Sequence, residues 1–154
     1  NAERVCIAGA SYGGYAALAD GAFSPEKYRC VASIAGISDL KEMLKSDRRE
    51  YGRDHWVISY WERQFGGAEF DWDALDAISP INFTDNYRAP VLLIHGKKDT
   101  VVPIDQSTAM RKALRKAGKD VKLIEFKGED HWLSYSESRL ATLRALAKFV
   151  EENL

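Results

Sequence analysis

The sequence predicts an α/β domain in which helices pack against a parallel sheet of about four strands. Two observations support this prediction. Four short, β-branched apolar runs, at residues 4–8, 30–35, 91–94 and 121–126, are each bounded by Gly, Pro or Asp, and the segments between them have helical periodicity. A length of 154 residues, with 45% hydrophobic and 29% charged residues, fits a single domain over 1–154.

Three helices are predicted from apolar stripes within residues 12–20, 110–117 and 137–151. The stripes are Tyr15, Ala16 and Ala19; Met110, Ala113, Leu114 and Ala117; and Leu140, Leu143, Ala147 and Val150. Residues 40–77 are too long, polar and aromatic for one crossover helix. They are predicted to form a helical insertion that ends with a helix at 71–77, before the break at Ser79-Pro80.

Composition argues against several kinds of partner. Lys and Arg total 22 against 23 Asp and Glu, so a net charge of −1 gives no electrostatic reason to expect nucleic acid or an anionic membrane. No apolar run approaches the roughly 18 residues that a membrane-spanning helix needs. Cys6 and Cys30 lie in apolar runs and are interpreted as buried thiols, neither a disulfide nor a zinc site.

The segment 9–13 reads Gly-Ala-Ser-Tyr-Gly, a G-x-S-x-G pattern between a predicted strand and a predicted helix. This context is that of a nucleophile elbow, a strained turn that exposes the Ser11 hydroxyl at the carboxyl end of the sheet. The glycines on both sides are expected where side chains would collide with neighbouring backbone. The N–H of Tyr12 and the helix N-terminus would face a developing oxyanion.

A serine nucleophile needs a histidine base, and three histidines are present. His131 follows the fourth strand, so its loop lies at the same end of the sheet as Ser11. His55 falls in the polar insertion and is interpreted as a surface or interaction residue. His95 ends the third strand and is interpreted as a structural side chain beneath the following loop.

The histidine in turn needs a carboxylate that fixes its tautomer. Asp99 follows the third strand, and the order Ser11, Asp99, His131 is the order of an α/β-hydrolase triad. Glu129 and Asp130 are weaker candidates, because neighbours in sequence rarely face one another across a loop. A solvated acidic loop is their expected role.

Several segments, in order along almost the whole chain, resemble the prolyl oligopeptidase family of serine peptidases. They are Gly-Ala-Ser-Tyr-Gly-Gly-Tyr (9–15), Ser-Pro-Ile (79–81), Pro-Val-Leu-Leu-Ile-His-Gly (90–96), Asp99, Val-Val-Pro (101–103), Gln-Ser (106–107) and Asp-His (130–131). The segment 129–132 is similar to the acylaminoacyl-peptidase and dipeptidyl-peptidase branch.

The resemblance implies an α/β-hydrolase fold with Ser11 as nucleophile, His131 as general base and then acid, and Asp99 as its orienter. It implies that Tyr12 supplies an oxyanion N–H and a wall of the pocket for the residue before the scissile bond. An apolar floor is implied by the other residues at pocket positions, Ile37, Leu40, Val101 and Val102. No metal or organic cofactor is required.

The family has an eight-stranded sheet, and only the last four strands are found here. We therefore expect a truncated, C-terminal part of the catalytic domain, without the upstream half that gives the second oxyanion donor and without the β-propeller. Consecutive helices should share one face of the sheet, and only the last should reach the other face. The unpaired edge of the nucleophile strand is expected to promote self-association.

The expected activity is hydrolysis of short peptides or acyl-peptides through an acyl-enzyme, weak in this chain by itself. A carboxylesterase or thioesterase with the same triad is the alternative enzyme. A different class of function also fits: an inert fragment that acts only as a folding or interaction module.

Overall fold

Four parallel strands form one sheet in the order β1-β2-β3-β4. The computed structural model describes residues 1, 3–65 and 70–154. Its strands are β1 (Cys6–Ala10), β2 (Cys30–Ile34), β3 (Val91–Gly96) and β4 (Val121–Phe126). The predicted fold class is confirmed.

Six α-helices are present in the described part of the chain. They are α1 (Tyr12–Phe23), α2 (Leu40–Tyr51), α3 (Trp56–Gln64), α4 (Trp72–Ala77), α5 (Asp105–Lys116) and α6 (Ser136–Asn153), with a 3₁₀ segment at Pro80–Asn86. The insertion predicted at 40–77 contains α2, α3 and α4, and its residues 66–69 lie outside the described ones. None of the helices described is both long and apolar enough to cross a membrane.

The two faces of the sheet bury different helices. Alternate residues such as Val31 and Leu93 pack against α1 and α5, whereas Leu92 and Ile94 pack against α6. This division follows from right-handed crossovers between neighbouring parallel strands, which place consecutive helices on one face. Among the helices of the described residues, only α6 packs on the second face, as expected.

The first strand runs two residues further than predicted. Gly9 and Ala10 pair with Ser33 and Ile34 in parallel register, so β1 continues to the residue before Ser11. The glycine therefore belongs to the strand as well as to the turn that follows it.

The predicted stripes locate the helices but mistake the buried face of two of them. In α5, Met110 and Leu114 are fully buried as predicted. The buried residues of α1 are instead Gly14, Ala17, Leu18, Gly21 and Ala22. The residues of α6 that are buried or packed against the core are Thr142, Ala145, Leu146 and Phe149. Leu140 and Leu143 of the predicted α6 stripe are 47% and 64% exposed. Both helices are apolar on more than one side, so periodicity alone could not choose the face.

The interpretation of the two cysteines as free thiols is wrong. Cys6 and Cys30 form a disulfide, with their Cα atoms 4.6 Å apart. They are paired residues at the start of β1 and β2, so their side chains lie on the same face of the sheet within bonding reach. A spacing of 24 residues does not show this, because the register depends on the intervening helix.

The outer edge of β1 has no strand partner among the described residues. Its residues are half-buried or exposed, whereas all residues of β3 are buried. The carbonyl of Val5 accepts from the N–H of Arg29, and the N–H of Ser11 donates to the carbonyl of Ile34. The backbone N–H and C=O groups of odd-numbered residues therefore face β2, and those of Ala8 face outward.

We expect this edge to pair with another copy of the chain, giving a mass above that of the monomer at micromolar concentration. Replacement of Ala8 by proline removes an outward-facing N–H and should shift the population towards monomer, without breaking a bond to β2. Light scattering after size exclusion measures the mass, and circular dichroism checks that the variant is folded. A strictly monomeric wild type would contradict the expectation.

Candidate active site

Ser11 lies in a sharp turn between β1 and α1. Its backbone has φ 55° and ψ −122°, and residues other than glycine rarely adopt a positive φ. Two bonds hold it there: its N–H donates to Ile34 O at 2.9 Å, and its carbonyl accepts from Tyr15 N at 3.1 Å. The strain raises the hydroxyl above the end of the sheet.

Two close backbone approaches require glycine around this turn. A Cβ on Gly9 would overlap the carbonyl of Gly13, and a Cβ on Gly14 would lie 2.8 Å from the Cα of Gly36. Gly13 itself has open space around its Cα, so the expected crowding two residues before and two residues after Ser11 holds for Gly9 but not for Gly13; after the serine, the crowded position is Gly14. The close approach of Gly14 and Gly36 packs α1 directly against the end of β2.

The structure brings the three predicted residues into one chain of hydrogen bonds. The Nε2 atom of His131 is 2.9 Å from Ser11 Oγ, and its Nδ1 is 2.7 Å from Asp99 Oδ2. Because an ionised carboxylate only accepts, Nδ1 carries the proton and Nε2 accepts from the serine hydroxyl. This tautomer lets the imidazole take a proton from Ser11.

Asp99 is fully satisfied despite its burial. Its Oδ1 accepts from the N–H groups of Val101 and Val102 at 2.9 and 2.8 Å, while Oδ2 accepts from His131 and, at 3.1 Å, from His95. Burial by itself would raise the pKa of this carboxyl. The four hydrogen bonds outweigh that effect and hold the pKa of Asp99 well below its usual range.

His95 supports the carboxylate from below. Its Nε2 faces two acceptors, Asp99 Oδ2 and the carbonyl of Val102, and therefore carries a proton. Its Nδ1 lies 2.8 Å from the hydroxyl of Ser107 on α5. The complete burial of His95 agrees with its interpretation as a structural side chain, but its contact with Asp99 was not predicted, because a four-residue spacing across the end of a strand does not indicate contact.

The remaining candidates have other contacts. Glu129 is 1% exposed, so the expected solvated role is wrong for it; its Oε1 accepts from the N–H of Tyr135. Asp130 is a turn residue that accepts from the N–H groups of Trp132 and Ser134. His55 caps the N-terminus of α3, where its Nδ1 accepts from Val57 N at 3.3 Å. Neither Glu129 nor Asp130 accepts a hydrogen bond from His131, as an orienting carboxylate would.

A cavity of about 320 Å³ opens beside Ser11. Four of the five residues predicted to line it do so: Tyr12, Ile37, Val101 and Val102. Leu40 does not, which corrects that prediction. As the first residue of α2 it is directed into the core, 1% exposed, whereas Met43 and Asp47, one and two turns later, reach the cavity.

Asp47 is the buried acid among the cavity residues that sequence reasoning missed, and the others are Met43, Tyr51, His55, Trp56, Val57 and Trp61. It is 6% exposed, and its Oδ2 accepts no hydrogen bond from the described residues. Burial raises the pKa of Asp47 to about 6, and the neighbouring Trp61 indole and His55 oppose that rise only in part. The sequence predicts an apolar floor for this cavity. The carboxylate of Asp47 makes part of that floor polar. The sequence does not show that Asp47 is buried beside the cavity, because it is one acid among many polar residues of the helical insertion.

Comparison with known families explains this arrangement. The family model described as prolyl oligopeptidase family matches residues 1–154. The chain belongs to the prolyl oligopeptidase family. Members of this family are serine hydrolases, and the family's α/β-hydrolase fold is the one found here.

Relatives in the prolyl oligopeptidase family are peptidases of much greater length. The uncharacterized peptidase YuxL of Bacillus subtilis is 26% identical over 163 residues, covering 99% of this chain and 22% of its own length. Dipeptidyl aminopeptidase BIII of Pseudoxanthomonas mexicana is 29% identical over 150 residues, covering 90% and 20%. A solved acylaminoacyl peptidase in complex with Z-Gly-Gly-Phe-chloromethyl ketone has a TM-score of 0.83 and 28% identity, covering 100% and 24%. The chain thus spans about a fifth to a quarter of these proteins.

The raised pKa of Asp47 should appear in the stability of the protein. Between the usual pKa of 3.8 and about 6, the folded state keeps a proton that the unfolded chain has released. The free energy of unfolding should therefore fall as pH rises through this range, by about 2 kcal/mol. The Asp47→Asn variant should lack this fall and be the more stable protein at pH 7.

Urea unfolding of both proteins at intervals between pH 4.5 and 7 measures the difference. Glu42→Gln is the matched control, since it removes an exposed acid from the same helix and should leave the wild-type slope intact. Parallel curves for wild type and Asp47→Asn would contradict the prediction.

Proposed function

We propose that Ser11, His131 and Asp99 form the catalytic triad of a serine peptidase that hydrolyses short peptides or acyl-peptides through an acyl-enzyme. The observation that carries the proposal is the geometry of His131, whose two ring nitrogens lie 2.9 Å from the serine hydroxyl and 2.7 Å from the buried carboxylate. Family membership and the peptidase relatives support it.

The first half of the reaction forms the acyl-enzyme. Ser11 Oγ bonds to the substrate carbonyl carbon while its proton passes to His131 Nε2. The carbonyl oxygen gains a negative charge, which the N–H of Tyr12 stabilises, because the first N–H of a helix has no acceptor within that helix. The C–N bond then breaks, and the proton on Nε2 moves to the leaving amine.

The second half repeats these transfers with water. His131 takes a proton from water as the oxygen bonds to the acyl carbon, and returns it to Ser11 Oγ as the ester bond breaks. Asp99 keeps its negative charge throughout and stabilises the imidazolium that forms twice in each cycle. Its low pKa suits this role, since the carboxyl stays ionised at any pH at which the histidine works.

Labelling with a fluorophosphonate probe tests the triad directly. We expect the wild-type chain to react covalently, Ser11→Ala not to react, and His131→Ala to react at least a hundred-fold more slowly because the serine loses its base. Ser24→Ala, at the opposite end of α1, is the matched control and should react like wild type. A folded wild-type chain that does not react would refute the proposal for this chain.

Turnover of a small ester by residues 1–154 alone should nevertheless be slow. In the family, a second oxyanion donor comes from a segment upstream of the nucleophile strand, and removal of one such donor costs roughly 10²–10³ in rate. We expect p-nitrophenyl acetate hydrolysis to be reduced to that extent relative to a full-length relative. A rate equal to that of the longer enzyme would show this expectation to be wrong.

A matched pair of acyl substrates separates the peptidase from the alternative esterase. The same acyl group is presented as an anilide and as a phenyl ester. Hydrolysis of the ester alone would favour an esterase or thioesterase, and cleavage of both favours the proposed peptidase.

A further inference from the structure

We propose that Asp47 makes the substrate pocket selective for a cationic side chain, that of lysine or arginine, in the residue before the scissile bond. This inference rests on the proposed function, since it assigns the cavity beside Ser11 to that residue. It concerns a residue outside the predicted pocket positions, and it replaces the expected apolar floor with a charged one.

Asp47 lies deep within the cavity. The lining residues Tyr12, Trp56 and Val101 are 57%, 71% and 39% exposed, so they form the rim around the opening. Asp47, at 6%, belongs with the buried end, as do the lining residues Ile37, Met43 and Val102, at 3%, 4% and 2%. A side chain that reaches the buried end of the cavity therefore meets the carboxylate among apolar lining residues.

The carboxylate of Asp47 has no cation bound to it in the part of the chain that the structure describes. Asp47 forms no ion pair with any described residue: His55, whose charge would lower the pKa of Asp47 in part, lines the same cavity but is not within ion-pair distance. The neighbouring Arg48 is directed elsewhere: its guanidinium lies over the ring of Phe70, 4.6 Å from the centroid, and 3.5 Å from Glu62. With a pKa of about 6, Asp47 is mostly ionised at neutral pH. A buried carboxylate without a cation is costly, and a ligand that brings the cation recovers that cost.

The walls of the cavity are mostly aromatic and apolar. The aromatic side chains of Tyr51, Trp56 and Trp61 line the cavity together with Met43. Aromatic faces attract ammonium and guanidinium groups, and the apolar lining packs against the methylene stem of a long side chain. An apolar stem with a cationic end matches both the walls and the carboxylate at the buried end.

The test compares two covalent probes that differ only in the charge. Acetyl-alanyl diphenyl phosphonates that carry a lysine or a norleucine side chain react with an activated serine and need no turnover. We expect the lysine probe to label the wild-type chain at least ten-fold faster at pH 7.5, and this ratio to fall to about one in Asp47→Asn. Glu42→Gln, which removes an exposed acid from the same helix, should keep the wild-type ratio.

The acetyl group removes the other cation that could bind, the α-ammonium of the substrate. A norleucine probe with a free α-amino group, tested in the same proteins, shows whether Asp47 recognises the side-chain cation or the α-ammonium. If its labelling rather than that of the lysine probe depends on Asp47, the carboxylate recognises an amino terminus and the proposal is overturned. A wild-type ratio of one or less with rapid norleucine labelling also overturns it, while the proposed function stands.

A binding measurement decides the case in which neither probe reacts and the proposed function itself fails. Trp56 and Trp61 line the cavity, so their fluorescence reports on its occupancy. Titration with pentylammonium should give tighter binding than titration with pentanol, by at least five-fold, in wild type but not in Asp47→Asn. Equal binding of the two compounds would overturn the inference.

Discussion

The site depends on one buried carboxylate. Asp99 accepts hydrogen bonds from the turn that follows β3, from His95 within β3 and from His131 after β4, and through His95 it is linked to α5. Each bond fixes a different element relative to the others. The position of His131 relative to Ser11 is therefore set by the packing of the whole carboxyl end of the sheet, and not by the loop of the histidine alone.

The sequence was sufficient for features that depend on local pattern. Runs of β-branched residues located all four strands, and glycine spacing placed Ser11 between a strand and a helix. The order of polar residues after successive strands identified Asp99 and His131, because parallel strands bring their carboxyl ends to one edge. These inferences need only the topology, and the topology follows from short connections and right-handed crossovers.

Features set by tertiary contact were not accessible in the same way. The outward face of α6 is as apolar as its inward face, so Leu143 could be assigned to the core although it is exposed. The pairing of Cys6 with Cys30 requires the register of two strands 24 residues apart. The burial of Asp47 depends on how α2 lies over the sheet. In each case the decisive partner is distant in sequence, and no local period encodes it.

The disulfide has a consequence for the integrity of the site when the chain is cut. Cys6 and Cys30 bracket Ser11, α1 and the exposed loop that contains Glu26 and Lys27. A protease that cleaved this loop would produce two polypeptides, yet the cross-link would keep the strand that carries Ser11 attached to β2. Such a nicked molecule would migrate as one species until it was reduced, and Ser11 would remain beside His131.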